Sequence, residues 1–373
     1  MIREGKVFLD LELPEVVSSQ MDVFYNPHMR ENRDISLLIL LSLPYQDLRV
    51  CDPMGASGVR LLRMLLETNK VKLALYNDRS PKAVEFFKGL IKKHGVEGER
   101  VEIYQEDACL LLRRLRNLHY VDIDPFGSPV PFLESGILPA ARHGIVAITA
   151  TDTSVLSGTY PSTCIRRYAS KPLLSAEFYH EVGIRILIKK VVEEGAKLDF
   201  ALRPIFSYSY RHYFRVFFQK DIGPKRADEL LKRIGYLLYC DNCLYREGVG
   251  LDFLKSACPH CGNRLLWAGP LWLGELWDKE LVESLWQLRG MVDISKGTNK
   301  LLHLIRKESK IKGVGFYTIS SMARAFKIGQ PPPIERFLKV FEGVRTHYTG
   351  EGFRTELPHE EVLRRVHELL QRA

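Results

Sequence analysis

The chain has 373 residues, 54 Lys/Arg against 45 Asp/Glu for a formal net charge of +9, and 46% hydrophobic residues. That length suits two or three domains with real cores, and no run reaches the roughly 18 apolar residues of a membrane-spanning helix. The charge favours a polyanionic partner. No signal-peptide pattern opens the chain, so a cytoplasmic location is expected. There, four of its seven cysteines, set in two Cys-x-x-Cys pairs, point to a metal site and not to disulfides.

Lys6 to Leu13 alternates apolar and polar residues, which predicts an edge strand. Phe24 to Asp34 (Phe-Tyr-Asn-Pro-His-Met-Arg-Glu-Asn-Arg-Asp) is a loop dense in aromatic and basic groups. Asn32 or Asp34 is placed to cap a helix over 35–43. Leu48 to Pro53 predicts a strand, Met54-Gly55-Ala56-Ser57-Gly58 a small-residue turn and Val59 to Leu66 a helix. Strand, glycine turn and helix form the first half of a doubly wound α/β unit. Small residues let a ligand approach the backbone, and the helix start offers free N–H groups. A second strand, Leu73 to Asn77, ends in Asp78. Nucleotide-binding folds place there, about 20 residues on, an acid that bonds ribose hydroxyls.

The third strand, Val101 to Tyr104, is followed by Glu106-Asp107-Ala108. The fourth runs into Val121-Asp122-Ile123-Asp124-Pro125-Phe126-Gly127-Ser128-Pro129, and the fifth is Gly144 to Thr149. Proline stops the ladder and holds the preceding Asp124 extended at the strand's carboxyl end. An acidic acceptor, a rigid carbonyl-bearing turn and an aromatic face within three residues suit gripping a planar base by its amino group. The alternative is an ordinary strand-ending turn. Four successive strand ends carry Asp52, Asp78, Asp107 and Asp124. One such acid is unremarkable; four point to a shared crevice at the sheet's carboxyl edge.

Spacing narrows the ligand. Neither Gly-x-x-x-x-Gly-Lys-Ser/Thr nor Gly-x-Gly-x-x-Gly occurs, which speaks against nucleotide triphosphate hydrolysis and dinucleotides. An adenosine-containing ligand with little phosphate is left, and S-adenosylmethionine fits. It has a ribose for Asp78, an amino-acid end for the glycine turn, and an adenine amino group that an acid accepts from.

Residues 150–172 read as a polar loop with Arg166 and Arg167, followed by a helix over about 176–195. Phe200 to Phe206 and Tyr213 to Phe218 predict the antiparallel hairpin that closes a methyltransferase sheet. Asp221-Ile222-Gly223-Pro224 reads as a linker. Beyond it, Cys240-Asp241-Asn242-Cys243 and Cys258-Pro259-His260-Cys261 flank fourteen residues. Two such knuckles make a tetrahedral four-sulfur site suited to zinc, structural because no coordination position stays open. Pro270 to Trp277 is expected to pack on the main body. Residues 296–349 hold 11 Lys/Arg against 3 Asp/Glu, the footprint of nucleic-acid binding, with a solvated basic face as the alternative. Helices over Ser320–Phe326 and Ile334–Phe341, then a hairpin over Val344–Tyr348 and Phe353–Thr355, suggest a winged-helix arrangement or another basic α+β subdomain.

With these residues assembled, the chain resembles the tRNA guanine-26 N2-dimethyltransferases nearly end to end. The resemblance is carried by Phe24 to Asp34, Asp52 to Arg60, Asp124 to Pro129, Thr149-Ala150-Thr151-Asp152, and His180-Glu181-Val182-Gly183-Ile184-Arg185-Ile186-Leu187. It implies a class I S-adenosylmethionine-dependent methyltransferase domain, a Rossmann-like α/β sheet with its closing antiparallel hairpin. The expected division is 1–222 for that domain with an N-terminal extension. Residues 223–373 then form a smaller α+β domain that binds tRNA and carries the knuckles at 240–261. The resemblance implies that Arg33, Arg60, Asp78, Asp107 and Ala108 hold the cofactor, with Arg63 as an alternative to Arg60. It places the catalytic aspartate at Asp124, beside the Pro125 carbonyl and the Phe126 ring. The implied product is N2-methyl- and then N2,N2-dimethylguanine at position 26, with a neighbouring guanine such as 27 as a further candidate. A zinc-bearing monomer acting on tRNA, away from membranes, is expected. The rivals are a DNA amino-methyltransferase, which uses a similar turn, and a non-catalytic zinc-bearing RNA-binding protein.

Overall fold

The computed structural model describes residues 2–12 and 21–371, with side chains followed to residue 366. A hairpin opens it: β1 (Ile2–Glu4) pairs antiparallel with β2 (Val7–Leu9) across Gly5, which turns at positive φ. Val7 and Leu9 are buried and Phe8 is exposed, so the alternation is real. The strand pairs with its own neighbour, however, and lies outside the main sheet. Residues 13–20 lie outside the described residues. Asn26 then caps a single 3-10 turn, Pro27–Met29, accepting from His28 N at 2.9 Å. Helix α1 (Arg30–Ser42) continues from it. It starts earlier than its sequence suggested because Pro27, with φ already set, begins the spiral. Asn32, Arg33 and Asp34 therefore stand on a helix, and all three are buried.

The central unit alternates strand and helix, with the five strands and α2 where they were expected: β3 (Leu48–Asp52), α2 (Val59–Glu67), β4 (Val71–Asn77), α3 (Pro81–Lys93), β5 (Val101–Tyr104), α4 (Ala108–Arg114), β6 (Leu118–Ile123), α5 (Leu133–Ile137) and β7 (Ala140–Ala150). The segment read as a polar loop instead contains α6 (Thr153–Leu156) and α7 (Pro161–Tyr168). Pro161 starts α7, and Cys164 and Tyr168, one turn apart, anchor it. Then come α8 (Tyr179–Ala196), β8 (Phe200–Tyr210) and β9 (Tyr213–Ile222). The seven strands lie in the order β5-β4-β3-β6-β7-β9-β8. β3 to β7 are mutually parallel, while β9 runs antiparallel to both β7 and β8. This is the class I methyltransferase sheet with its closing hairpin. Its centre is the dry core: Val50, Leu75, Val121, Val146 and Phe217 are fully buried.

The remaining chain forms α9 (Pro224–Leu231), β10 (Ile234–Tyr239), β11 (Arg246–Val249), β12 (Leu266–Trp272), α10 (Lys279–Leu288), α11 (Lys296–Glu308), β13 (Tyr317–Thr318), α12 (Ile319–Phe326), α13 (Ile334–Val340), β14 (Val344–Arg345), β15 (Gly352–Arg354) and α14 (His359–Gln371). Its two sheets run β11-β10-β12 and β13-β15-β14. Helix, strand, helix, helix and a two-stranded wing, with the first strand paired to the last, is a winged-helix arrangement. The apolar core runs on across the seam to the methyltransferase sheet, and buried ion pairs cross within it. Glu181 of α8 accepts from Arg354 Nη2 (2.5 Å), Arg185 Nε (2.7 Å) and Gly315 N (2.9 Å), and Arg354 Nε also bonds Glu308 (2.6 Å). Trp277 Nε1 donates to the Ser207 carbonyl at 2.7 Å, so Trp277 packs on the main body as expected. Among the described residues no helix is long and apolar enough to cross a membrane.

Candidate active site

In sheet order the ends of β5, β4, β3 and β6 are neighbours, so Asp107, Asp78, Asp52 and Asp124 line one carboxyl edge. The turn between β3 and α2 is shaped by Gly58 at φ +72, where a Cβ would meet the Phe87 ring at 2.0 Å; only glycine serves. Asp78 steadies this turn: Oδ2 accepts from Ala56 N (2.9 Å) and Oδ1 from Ser80 N (2.8 Å). Each oxygen keeps a second lone pair. Asn77 joins the turns after β3 and β5, donating to the Pro53 and Glu106 carbonyls at 2.8 and 3.1 Å. Asp107 caps α4 through the Cys109 and Leu110 amides, with Ala108 buried behind it.

At the end of β6, Asp124 Oδ2 is bonded by Arg60 Nη2. The same buried guanidinium reaches Asp122 at 3.0 Å and Asp52 at 3.3 Å, and donates to Asn32 Oδ1 at 2.6 Å. Arg215 of β9 supplies the second cation. It forks onto both Asp122 oxygens (2.9 and 2.6 Å) and bonds Thr149, Ser36 and Tyr120. Two guanidiniums thus face three carboxylates in a dry pocket, one formal negative charge in excess. Burial pushes the Asp52 carboxyl up to about 7, opposed by Arg60 and reinforced by Asp122 and Asp124. Burial works the same way on Asp122, but Arg215 and Arg60 outweigh it and hold that carboxyl low. Sequence reasoning missed Arg215. Its signal is a lone charge inside the apolar strand Tyr213-Phe214-Arg215-Val216-Phe217-Phe218, which a buried site must pair.

The Asp124-Pro125-Phe126-Gly127 turn is strapped from behind. Gly127 N donates to Thr151 Oγ1 at 2.6 Å, and Thr151 N returns to the Gly127 carbonyl at 3.0 Å. Phe126 stands 59% exposed, its ring held edge-on to Phe24 at 4.7 Å. Arg33, expected at the cofactor, and Arg63, the alternative to Arg60, are both engaged with buried acids. Arg33 forks onto Glu4 of the opening hairpin at 2.7 and 2.6 Å. Arg63 joins Glu4 (3.0 Å), Asp34 (2.6 Å) and Glu67 (2.8 Å). The four cysteines converge as their spacing requires, every Sγ within 4.8 Å of the others.

The pattern of the family described as N2,N2-dimethylguanosine tRNA methyltransferase matches residues 5–367. The chain belongs to this family. Among curated relatives, the tRNA (guanine(26)-N(2)/guanine(27)-N(2))-dimethyltransferase of Aquifex aeolicus is 48% identical over 365 residues, covering 96% of this chain and 93% of the relative. The tRNA (guanine(26)-N(2))-dimethyltransferase of Methanobrevibacter smithii is 37% identical over 385 residues, covering 99% and 96%. Among solved structures, Trm1 from Pyrococcus horikoshii with S-adenosyl-L-methionine has a TM-score of 0.86 at 30% identity and covers 98% of each chain. The fold is thus shared over nearly the whole of both chains.

Proposed function

We propose that this chain transfers methyl groups from S-adenosylmethionine to the exocyclic N2 of guanine 26 in tRNA, giving N2-methyl- and then N2,N2-dimethylguanine. The observation that carries it is Asp124, fixed by Arg60 at the sheet's carboxyl edge beside the open Phe126 ring, in a member of this family. The carboxyl edge fits the cofactor: Asp78 retains acceptor capacity for ribose hydroxyls, and Asp107 with Ala108 borders the neighbouring strand end. When bound, the cofactor supplies an electrophilic methyl on a sulfonium. Arg33 and Arg60 are assigned to the cofactor as well; Arg33 is held by Glu4, and Arg60 also bonds Asp124.

Guanine N2 is a weak nucleophile because its lone pair is delocalised into the ring. Asp124 Oδ1 and the Pro125 carbonyl accept its two hydrogens and turn the lone pair towards the methyl. Phe126 stacks on the base, which must leave the tRNA core to reach the turn. As the N–C bond forms and the S–C pair returns to sulfur, nitrogen becomes cationic and Asp124 takes its proton. Positioning of this kind supplies several kcal/mol, and an acceptor aimed at developing positive charge supplies more. In the second transfer only one hydrogen is left to hold, so dependence on Asp124 increases. A neighbouring guanine such as 27 is a second position, which the 48% identical relative's name includes.

We assign 1–222 to this chemistry and 223–373, with its basic stretch at 296–349, to tRNA binding. The four cysteines are assigned to zinc: a tetrahedral site with Zn–S near 2.3 Å needs S–S separations of about 3.8 Å, and the Cys240–Cys261 and Cys243–Cys258 pairs stand at 3.5 and 3.6 Å. We place the protein in the cytoplasm as a monomer. The test is transfer of labelled methyl to tRNA, to the same tRNA with adenine at 26 and 27, and to duplex DNA. Label in the first alone is expected. Label in duplex DNA would favour the DNA amino-methyltransferase reading, and no label anywhere would favour a binding protein.

A further inference from the structure

Helix α7 has no task in the chemistry above, yet it joins the catalytic turn to the cysteine-bearing sheet. Its Tyr168 hydroxyl meets Ser128 Oγ at 2.8 Å, two residues past Phe126, and donates to Asp152 at 2.8 Å. Buried Lys189 donates to the Tyr168 and Ala169 carbonyls at its other end, both at 3.2 Å. The chain then crosses to β12. Ser170 Oγ donates to the Pro270 carbonyl (2.8 Å), and Lys171 and Gly269 exchange backbone hydrogen bonds of 2.9 and 2.8 Å. Lys171 Nζ lies 4.0 Å over the Trp267 ring, which meets Tyr236 edge-on at 6.0 Å.

The outer side of this bridge carries basic and large side chains among small ones. Tyr160, Ile165, Arg166 and Arg167 are exposed along α7, and Trp267 is 40% exposed at the far end. Residues 153–176 contain Arg166, Arg167 and Lys171 and neither Asp nor Glu. Arg167 is partly occupied by Asp152 at 3.2 Å; among the described residues Arg166 bonds its own helix, at Thr163 Oγ1. A single exposed ring is ordinary on a surface, but here two, Tyr160 and Trp267, stand at the two ends of a stretch that carries the cations. Rings interleaved with cations suit RNA, whose unstacked bases lie on aromatic faces while its phosphates meet Arg and Lys.

We propose that the strip from Tyr160 through Arg166 and Lys171 to Trp267 and Tyr236 is an RNA contact. It receives the tRNA strand unstacked beside the target guanine and leads it from Phe126 onto the cysteine-bearing sheet. This inference rests on the tRNA methyltransferase reading.

The test uses the full-length protein with tRNA, comparing wild type, Trp267→Leu, and Arg166→Ala combined with Lys171→Ala. Trp267→Leu should weaken tRNA binding about 5-fold or more and abolish the part of the tRNA-induced fluorescence quenching that comes from this exposed tryptophan. The double replacement should flatten the log–log salt dependence of tRNA binding by about one to two units. S-adenosylmethionine affinity and melting temperature should hold in both, which separates a lost contact from a misfolded protein. If wild type methylates tRNA but both variants bind it with wild-type affinity, quenching and salt slope, the strip is not an RNA contact and the activity stands. If Trp267→Leu only dissociates a wild-type dimer, the strip belongs to a second copy and the inference is overturned. If wild type fails to methylate tRNA, the functional reading falls and this inference with it.

Discussion

Arg60 Nη2 bonds Asp124 Oδ2 from behind the Asp124-Pro125-Phe126 turn, while the same guanidinium touches Asp122 and Asp52. One cation thus orients the aspartate and makes three close carboxylates tolerable in a dry pocket. Removing it leaves buried charge uncompensated, which costs about 3–5 kcal/mol. Arg60→Ala should therefore lower both stability and kcat. Asp124→Ala should abolish nearly all methyl transfer while cofactor affinity by calorimetry changes little. A wild-type kcat in the Asp124 variant, or a cofactor defect as its main loss, would refute the assigned role.

Asp78 holds the Ala56 and Ser80 amides and faces the place assigned to the ribose. Asp78→Ala should weaken S-adenosylmethionine binding by about 1–3 kcal/mol, the usual loss when a charged hydrogen-bond acceptor is removed. Calorimetry returning an unchanged dissociation constant would leave Asp78 as a turn residue only.

Protein purified without chelator should carry one zinc per chain. Cys258→Ser or chelation should lower stability and tRNA affinity more than cofactor affinity, because the cluster lies outside the methyltransferase sheet. Elemental analysis that finds no zinc would rule the assignment out.

Acid stability should reflect Glu4. Burial would raise its carboxyl, but Arg33 and Arg63, with the Tyr25 hydroxyl, outweigh burial and bring it down from 4.5 to about 2. A carboxyl lowered in the folded state stabilises above its unfolded value and loses that contribution as pH falls through its folded one. Stability should therefore hold down to pH about 4.5 and decline between there and about 2, with a contribution of about 3 kcal/mol from this group. Urea unfolding across that window should show a shallower decline in Glu4→Gln; an identical slope would refute the link between hairpin and helix charges.

The sheet was legible strand by strand. Strand, small-residue turn and acid recur with local periodicity, and the Asp124-Pro125-Phe126 turn declares itself because proline constrains its own φ and the conformation of its neighbour. The cysteine knuckles were legible for the same reason, as fixed short spacings. α7 was not: eight residues with two buried anchors look polar unless the surface that receives Cys164 and Tyr168 is known. Nor was the partnering of the arginines. Arg33 with Glu4, Arg60 with Asp124 and Arg215 with Asp122 join residues 29, 64 and 93 positions apart. A guanidinium's partner is decided by which carboxylates share its dry volume, and that follows from the packing of helices on the sheet. Sequence by itself therefore determined the strands, the turn chemistry and the cysteine spacing, which depend on neighbours along the chain. Only the tertiary structure decided which charges meet, because burial makes pairing compulsory without saying, in any local pattern, with whom.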